Sequence, residues 1–220
     1  MTQAPLATAV RSLRKAALSP SEEHSDRRLL QDFLGQYDES AFALLIRRHG
    51  PMVHGVCRRV LQHAQDAEDA FQAAFLVLAR KAASIRKGEA LASWLHGVSY
   101  RIAMRAKRDA ARRRKYETKV QSPFATAAAV EEASWRKVQS ALDEEVERLP
   151  AACRAAFVLC CLQGRSQADA ARQLGVKEGT ISSRLAEARR LYETAGFTEV
   201  GAFNDEPYAH HWFQRDLPQD

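Results

Sequence analysis

The sequence predicts an all-α protein of two small helical domains joined by a linker, the second a helix-turn-helix (winged-helix-like) DNA-binding domain. Apolar residues recur at helical spacing from residue 26 onward. A segment containing Pro and an Ala/Thr run interrupts that spacing over 116–133. Near the end of the chain, a helix cap, a small residue and a glycine fall at the spacing of a helix-turn-helix.

Composition narrows the classes of function. Hydrophobic residues make up 46% of the chain, as in folded soluble proteins, and no apolar run approaches the ~20 residues that span a bilayer. The formal net charge of +6 favours a polyanionic partner. The cysteines lack CxxC spacing, so we expect reduced, buried thiols in the cytoplasm and neither disulfides nor a zinc site. They are Cys57, Cys153, Cys160 and Cys161.

The first predicted domain covers residues 26–115 and follows a flexible N-terminal arm, 1–25, that lacks the apolar segment of a secretion signal. Ser40 is placed to cap its second helix, which Gly50-Pro51 is expected to interrupt. Four potential metal ligands in this stretch lie on different helix faces, which argues against a metal site. They are His49, His54, Cys57 and His63.

An acidic helix is predicted over residues 66–82. Asp66 is placed to cap it. The carboxylates in its first turn lie at the positive end of the helix dipole, which stabilises negative charge. Its exposed face carries Glu68, Asp69 and Gln72. Interaction with the helix dipole is by itself enough to explain these residues. A catalytic site made of these carboxylates and His63 is the alternative, but their spacing resembles no known set of ligands.

A basic helix is predicted from Trp94 onward. Its cationic residues are denser than on an ordinary solvated helix face and are interleaved with aromatic rings, a pattern that suits a single-stranded or distorted nucleic acid. The alternative is a self-repelling helix end that only solubilises the protein. The predicted nucleic-acid contacts are Trp94, Tyr100, Arg101, Arg105, Lys107 and Arg108.

The second domain is predicted over residues 134–196, after the linker at 116–133 and before a C-terminal tail, 197–220, whose role is unassigned. Ser166 and Asp169 form a capping box at the start of one helix, and Gly175 permits the sharp turn that ends it.

The next helix has an apolar stripe through Ile181 and a polar opposite face, which suits the major groove of DNA. The alternative is an ordinary αα-hairpin with a solvated outer face. The predicted contacts to DNA are Lys177, Thr180, Ser182, Ser183, Arg184, Glu187 and Arg190.

Two blocks resemble the extracytoplasmic-function (ECF) sigma factors, the minimal two-domain type of bacterial transcription initiation factor. DAEDAFQAAFLVL followed by SWLHGVSYRIA is similar to region 2 of that family. LPAACRAAFVLCCLQGRSQADAARQLGVKEGTISSRLAEARRLY is similar to region 4. The blocks stand in the family's order, and together they account for most of residues 26–195.

The resemblance implies a non-enzymatic protein, with no cofactor, that binds core RNA polymerase and directs promoter-specific initiation. The acidic helix would dock on the β′ clamp helices, with the β flap as a further polymerase contact. The basic helix would capture the melted downstream (−10) element, and the second helix of region 4 would read the upstream (−35) element. The implied polymerase-binding residues are Asp66, Glu68, Asp69 and Gln72.

The resemblance also makes an anti-sigma factor a candidate partner and implies a cytoplasmic protein, associated with the nucleoid when bound to polymerase, without membrane insertion. Arg101 and Arg105 stand where many family members have Asn and Asp, which implies more backbone contact than base reading. Lys177 stands where Pro is common, so it is placed to contact a phosphate directly.

Two alternatives remain open. A free-standing helix-turn-helix regulator would bind operators without polymerase, as a homodimer on a palindromic site, and would leave the acidic helix without a partner. A helical metal-dependent hydrolase would need a constellation of ligands that the sequence does not show.

Overall fold

The structure, a computed structural model, describes residues 25–36, 38–61, 63–85, 90–117, 141–194, 198–200 and 212–214. Two predictions therefore lie largely outside the described residues: the arm before residue 25 and the linker from 118 to 133. The helices, in chain order, are α1 (Asp26–Gln36), α2 (Glu39–Val60), α3 (Ala64–Lys81), α4 (Leu91–Glu117), α5 (141–148), α6 (Ala151–Phe157), α7 (Gln167–Leu174) and α8 (Glu178–Thr194).

The all-helical class with a helix-turn-helix near its end is confirmed. A 3₁₀ turn, Ala82–Ser84, extends α3, and a π-helical turn, Val158–Leu162, continues α6. One short antiparallel strand pair follows α8, with Thr198 opposite Gln214 and Val200 opposite Trp212. The sequence analysis left this tail unassigned and did not predict the strands.

Two predicted helix caps are wrong. The cap of α2 is Asp38, whose carboxylate accepts the backbone N–H groups of Ser40 and Ala41 at 2.8 and 3.3 Å. An Asp caps as well as a Ser, and Asp38 starts the helix two residues before a Ser40 cap would. The α3 helix begins at Ala64, so Asp66 lies inside its first turn, where its charge still meets the helix dipole.

The predicted interruption at Gly50-Pro51 is also wrong, because α2 runs through it as a helix of 22 residues. Pro51 removes one backbone donor, but buried apolar residues on both sides of it fix the helix against its neighbours. Leu45 and Val53 are fully buried in the core that α2 forms with α3 and α4. Tertiary packing thus outweighs the local breaker.

The helix-turn-helix has the local structure that was predicted. The Ser166 hydroxyl accepts the backbone N–H of Asp169 at 3.1 Å and caps α7. Gly175 ends α7 in the left-handed conformation, with φ of 64°, which favours glycine. Ile181 and Ala188 on α8 are fully buried.

The two halves of the chain meet through polar side chains. The carboxylate of Asp143, on α5, accepts two hydrogen bonds from the Arg59 guanidinium, each 2.8 Å long, and lies 3.2 Å from Nε2 of His96. Glu147, one turn later, lies 3.1 Å from Nδ1 of His96 and 3.3 Å from Arg101. We call this set of five residues the acidic junction.

A second junction lies at the start of α1. Asp26 is buried, and its carboxylate accepts hydrogen bonds from Arg48 at 2.5 Å and from Gln173 of α7 at 3.1 Å. His49, also fully buried, lies 3.0 Å from Asp26 and 2.8 Å from the Gln163 amide nitrogen. The N-terminal domain is therefore tied to the helix-turn-helix as well as to α5.

In the acidic junction, burial and neighbouring charges shift the pKa values of Asp143 and His96 in opposite directions. Burial alone would raise the pKa of Asp143, but Arg59 and His96 hold it below its usual value. Burial alone would lower the pKa of His96, but bonds to Asp143 and Glu147 raise it. Since a carboxylate faces each ring nitrogen, the doubly protonated imidazolium is the form that satisfies both.

We expect the free energy of unfolding to fall as pH rises above 6.5, the usual His pKa. Folded His96 keeps its proton to higher pH than unfolded His96, so the slope approaches about 1.4 kcal/mol per pH unit until the raised pKa is passed. Below 3.8, the usual Asp pKa, protonation of Asp143 removes its contribution as pH falls. Urea unfolding of the chain between pH 3 and 9 measures the loss of stability at both the acidic and the basic end of this range.

The matched variants are His96→Gln and His63→Gln. His96→Gln should abolish the decline of stability above pH 6.5, whereas His63→Gln, at an exposed residue that makes no capping bond, should retain it. An unchanged decline in His96→Gln would show that His96 does not carry the proton.

Candidate DNA and polymerase surfaces

The outer face of α8 is the predicted reading surface. Ile181 and Ala188 face the core, so Ser183 and Arg190, which are exposed, point away from it. Thr180 and Arg184 are half-buried at the edge of this face. Lys177 is exposed in the turn before α8, and its carbonyl accepts the Thr180 backbone N–H at 2.9 Å. The predicted contacts therefore share one side of the domain, with two of them at its border.

Two predicted contacts hydrogen-bond to other helices of the same domain. The Glu187 carboxylate accepts a hydrogen bond from the buried Cys153 thiol at 3.3 Å, which links α8 to α6. Ser182 donates to the side-chain oxygen of Gln167 at 2.5 Å. Gln167 opens α7 and is exposed, so it lies beside the reading face although the sequence analysis did not include it. Only the three-dimensional crossing of α7 and α8 reveals this pair.

The basic helix α4 carries a stripe of exposed guanidinium groups. Arg101, Arg105 and Arg108 recur at i, i+4 and i+7, and Arg112 extends the same row although it was not among the predicted contacts. The Arg105 side chain is 81% exposed, and its nearest acid is Asp109 at 3.9 Å, a surface pair of little energetic value. Lys107 is exposed on the flank of the stripe. The row can follow a nucleic-acid backbone.

The two aromatic residues of α4 are half-buried and pack against the domain core. Trp94 lies on the helix face of the arginine stripe, and Tyr100 lies on the flank near Lys107. Burial, together with the nearby carboxylates of Glu144, Asp143 and Glu147, raises the pKa of Tyr100 to about 12. Three acids of α5 thus lie close to the predicted downstream surface.

The exposed face of α3 carries the predicted polymerase contacts. Asp69 and Gln72 are exposed, whereas Asp66 and Glu68 are half-buried at the two edges of the face. Gln65 donates to the Asp69 carboxylate at 3.2 Å, which orders the acid along the helix.

Leu76 lies one turn after Gln72 on the same face of α3 and is 62% exposed, more than any other large apolar residue in the described part of the chain. Leu76 was not among the predicted contacts, because a leucine in a helix is expected to face the core. Its position at i+4 from Gln72 was the available signal.

The thiols behave as the sequence predicts. All four cysteines are free; Cys57, Cys153 and Cys160 are buried and Cys161 is partly buried. Burial raises the pKa of Cys57 to about 12 and that of Cys160 to about 11, so both are protonated at neutral pH.

No group of three or more His, Cys, Asp or Glu side chains in the ranges above is arranged to hold a metal ion. None of the described helices is long and apolar enough to span a membrane.

Two protein-family models match the chain. The model described as Sigma-70 region 2 matches residues 45–115, and the model described as Sigma-70, region 4 matches residues 139–191. The first match contains the α3 face and the basic helix, and the second contains the helix-turn-helix.

Relatives that match along most of the chain are also sigma factors. The ECF RNA polymerase sigma factor SigM of Mycobacterium tuberculosis is 39% identical over 184 residues, covering 81% of this chain and 89% of the relative. The RNA polymerase sigma-H factor of Pseudomonas aeruginosa is 27% identical and covers 72% and 87% of the two chains.

Solved structures include CnrH in complex with the cytosolic domain of CnrY, 24% identical with a TM-score of 0.36, covering 77% of this chain and 96% of that one. RpoE of Bartonella quintana in complex with the anti-sigma factor NepR is 21% identical with a TM-score of 0.31, covering 70% and 94%. The two family models and the 39% identity to SigM carry the assignment. The chain belongs to the ECF sigma factors, which bind core RNA polymerase and direct it to specific promoters.

Proposed function

We propose that three helices of this sigma factor each bind a different part of the transcription complex. The exposed face of α3 binds the β′ clamp helices of core RNA polymerase, with the β flap contacting region 4. The arginine stripe of α4 holds the melted −10 element, and α8 reads the −35 element. The corresponding domains are 26–115 for region 2 and 134–196 for region 4.

The observation that carries the polymerase assignment is the face formed by Asp69, Gln72 and Leu76. It joins an exposed acid, an exposed amide and a largely exposed leucine within two turns of one helix. A solvated helix face has no need of the leucine, whereas an interface core gains about 1.5–3 kcal/mol by burying it fully. The acid supplies complementarity to a basic partner. A free-standing regulator leaves this face unused.

The assignment of α4 rests on its charge and exposure. Arg105 and Arg108 are exposed and lie one turn apart, at the spacing of successive backbone contacts on a helix. Guanidinium groups bind phosphates of any sequence, and half-buried rings beside them offer stacking surfaces to unpaired bases. With Arg at 101 and 105, where many family members have Asn and Asp, we infer that α4 contributes more affinity than base discrimination.

We also propose a partner protein, a non-catalytic role and a cellular location for this chain. An anti-sigma factor is a candidate partner, because RpoE of Bartonella quintana binds one, NepR. The chain contributes recognition and no catalytic group of its own, and it needs no cofactor. Its place of action is the cytoplasm, on the nucleoid when it is bound to polymerase.

We expect Asp69→Arg/Gln72→Ala to weaken binding to bacterial core RNA polymerase by about 2–5 kcal/mol, at least ~30-fold, because an interfacial charge is reversed against its partner. Fluorescence anisotropy with labelled sigma factor measures the affinity. The control is Asp32→Arg/Gln31→Ala, the same pair of changes on α1. The control should bind as the wild type does. If the wild type binds DNA but no polymerase, the free-standing regulator is correct.

We expect Leu76→Ser to weaken polymerase binding by about 1–2 kcal/mol, because the leucine is buried only in the complex. The free energy of unfolding of the isolated chain should change little, since Leu76 is already 62% exposed. Paired urea unfolding and polymerase-binding measurements test this. A loss of stability equal to the loss of binding would place Leu76 in the folded core instead.

We expect Arg184→Ala to cost about 1–3 kcal/mol on the preferred −35 sequence and much less on unrelated DNA, if the side chain reads a base edge. Arg190→Ala is the matched comparison: a phosphate contact should weaken binding to all sequences equally and lower the salt slope by about 1. Binding of the holoenzyme to matched and scrambled promoters separates the two. Equal losses for Arg184→Ala on both sequences would reassign it as a backbone contact.

A further inference from the structure

We propose that Gln167 of α7 sets the base preference of α8, by fixing Ser182 as a hydrogen-bond acceptor that recognises the amino group of adenine or cytosine in the −35 element. Gln167 is a positioning residue, because it acts on the base through Ser182. The inference rests on the proposed assignment of α8 to the −35 element, and it deepens that assignment by naming the chemical group that one side chain recognises.

The bond between the two helices of the helix-turn-helix carries the inference. The Ser182 hydroxyl donates its proton to Oε1 of Gln167 at 2.5 Å, across 15 positions of sequence. A hydroxyl has one proton and two lone pairs, and an amide oxygen can only accept. With its proton directed at Gln167, Ser182 keeps only its capacity to accept a hydrogen bond from DNA.

DNA binding should preserve the direction of this bond. Both residues are exposed in the free chain, where water can take the place of either partner. In a DNA interface, a Ser182 proton turned toward a base would leave Oε1 of Gln167 desolvated and without a donor, which is unfavourable. A hydroxyl that already donates is also a stronger acceptor, because linked hydrogen bonds polarise one another.

Two neighbouring side chains of α8 also present acceptors. Ser183 donates its hydroxyl proton to the carbonyl of Gly179, one turn earlier in the helix, at 2.9 Å. The Glu187 carboxylate accepts the proton of the buried Cys153 thiol at 3.3 Å. The thiol remains a donor at neutral pH, because burial and the bond to Glu187 raise its pKa to about 11. The hydroxyl protons of Ser182 and Ser183 are therefore both engaged within the protein.

Small residues around Ser182 let a side chain this short reach a base. Gly179 and Ala186 lie three residues before and four residues after it, so they flank it along the helix, and both are exposed. A Cβ atom at Gly179 would meet no described atom within 4 Å, so packing gives no reason for a glycine there. Glycine is less favourable than alanine within a helix, but it permits close approach of another molecule. This is the N-terminal end of α8, the end of a recognition helix that contacts base edges.

The major groove offers a matching distinction between bases. Adenine presents the N6 amino group and cytosine the N4 amino group, whereas guanine presents the O6 oxygen and thymine the O4 oxygen. An amino group donates to the Ser182 oxygen, but a carbonyl oxygen would face it as a second acceptor and leave both unpaired. A serine with a free proton can bind either kind of base. The bond to Gln167 therefore makes the contact selective for an amino group.

The test uses the holoenzyme formed by the full-length sigma factor and bacterial core RNA polymerase. Bound promoters are selected from a duplex library with a randomised −35 element, and sequencing gives the base preference at each position. We expect wild type to prefer adenine and cytosine over guanine and thymine at one position by about tenfold. Ser182→Ala should lower that preference to less than about twofold, which identifies the position.

Two variants of Gln167 separate the direction of the bond from packing. Gln167→Leu has a side chain of similar size but frees the Ser182 proton, so the preference should fall to less than about twofold. Gln167→Glu keeps an acceptor opposite Ser182, so the preference should survive, although the added negative charge weakens binding to all sequences. Gln31→Leu, the same change at an exposed position of α1, is the control and should select the wild-type sequences.

A second measurement needs no variant protein. In the selected duplex, the adenine at the identified position is replaced by purine, or the cytosine by pyrimidin-2-one, each of which lacks the amino group. Wild-type holoenzyme should bind this duplex about tenfold more weakly than the unmodified one. The same replacement at a base pair outside the promoter elements should change binding less than about twofold, which controls for the altered base pairing.

The outcomes separate the inference from the assignment on which it rests. If selection depends on Arg184, but the preference at Ser182 is absent, is for guanine or thymine, or survives Gln167→Leu, then α8 reads the −35 element and Gln167 does not set its base preference. If neither Ser182→Ala nor Arg184→Ala changes the selected sequences, α8 does not read that element, and the proposed function of this helix is wrong.

Discussion

The buried charge of Asp143 is the constraint on which the relation between the two domains depends. A carboxylate with 1% exposure is tolerable only with cationic partners, and here both come from the other domain, 84 residues away for Arg59 and 47 for His96. Neither domain can satisfy its side of the junction alone without water. The ion pairs thus fix where α5 lies, and with it the orientation of the helix-turn-helix.

Local sequence rules predicted each helix but not always its ends. The Ser166 cap and the left-handed Gly175 are set by neighbouring atoms, so a capping box and a turn glycine identify them correctly. Asp38 displaced Ser40 because two competent caps stood two residues apart. Gly50-Pro51 failed to interrupt α2 because packing by residues such as Val53 outweighs a single lost backbone bond. Errors arose where two local signals competed or where tertiary contacts decided.

For the candidate surfaces too, the sequence predicts contacts within one helix but not contacts between helices. Helical periodicity places Asp69 with Gln72, and Arg101 with Arg105 and Arg108, because residues three and four apart share a face. It cannot predict that Glu147 lies against Arg101, since no rule of spacing joins residues 46 positions apart. It likewise gives no reason why Cys153 meets Glu187. Such contacts depend on how helices cross, and they determine which predicted residues are accessible.

The charge of Arg101 therefore pairs with two different anions at different times. Arg101 pairs with Glu147 in the free chain and, in the proposed promoter complex, with a DNA phosphate, so it has a compensating anion in both. A carboxylate is a weaker competitor than a polyanion, because DNA binding also releases condensed counterions. The exchange is then driven by DNA. The ion pair is also weak, because the Arg101 side chain is 62% exposed and water screens its charge, so its loss costs the folded chain little.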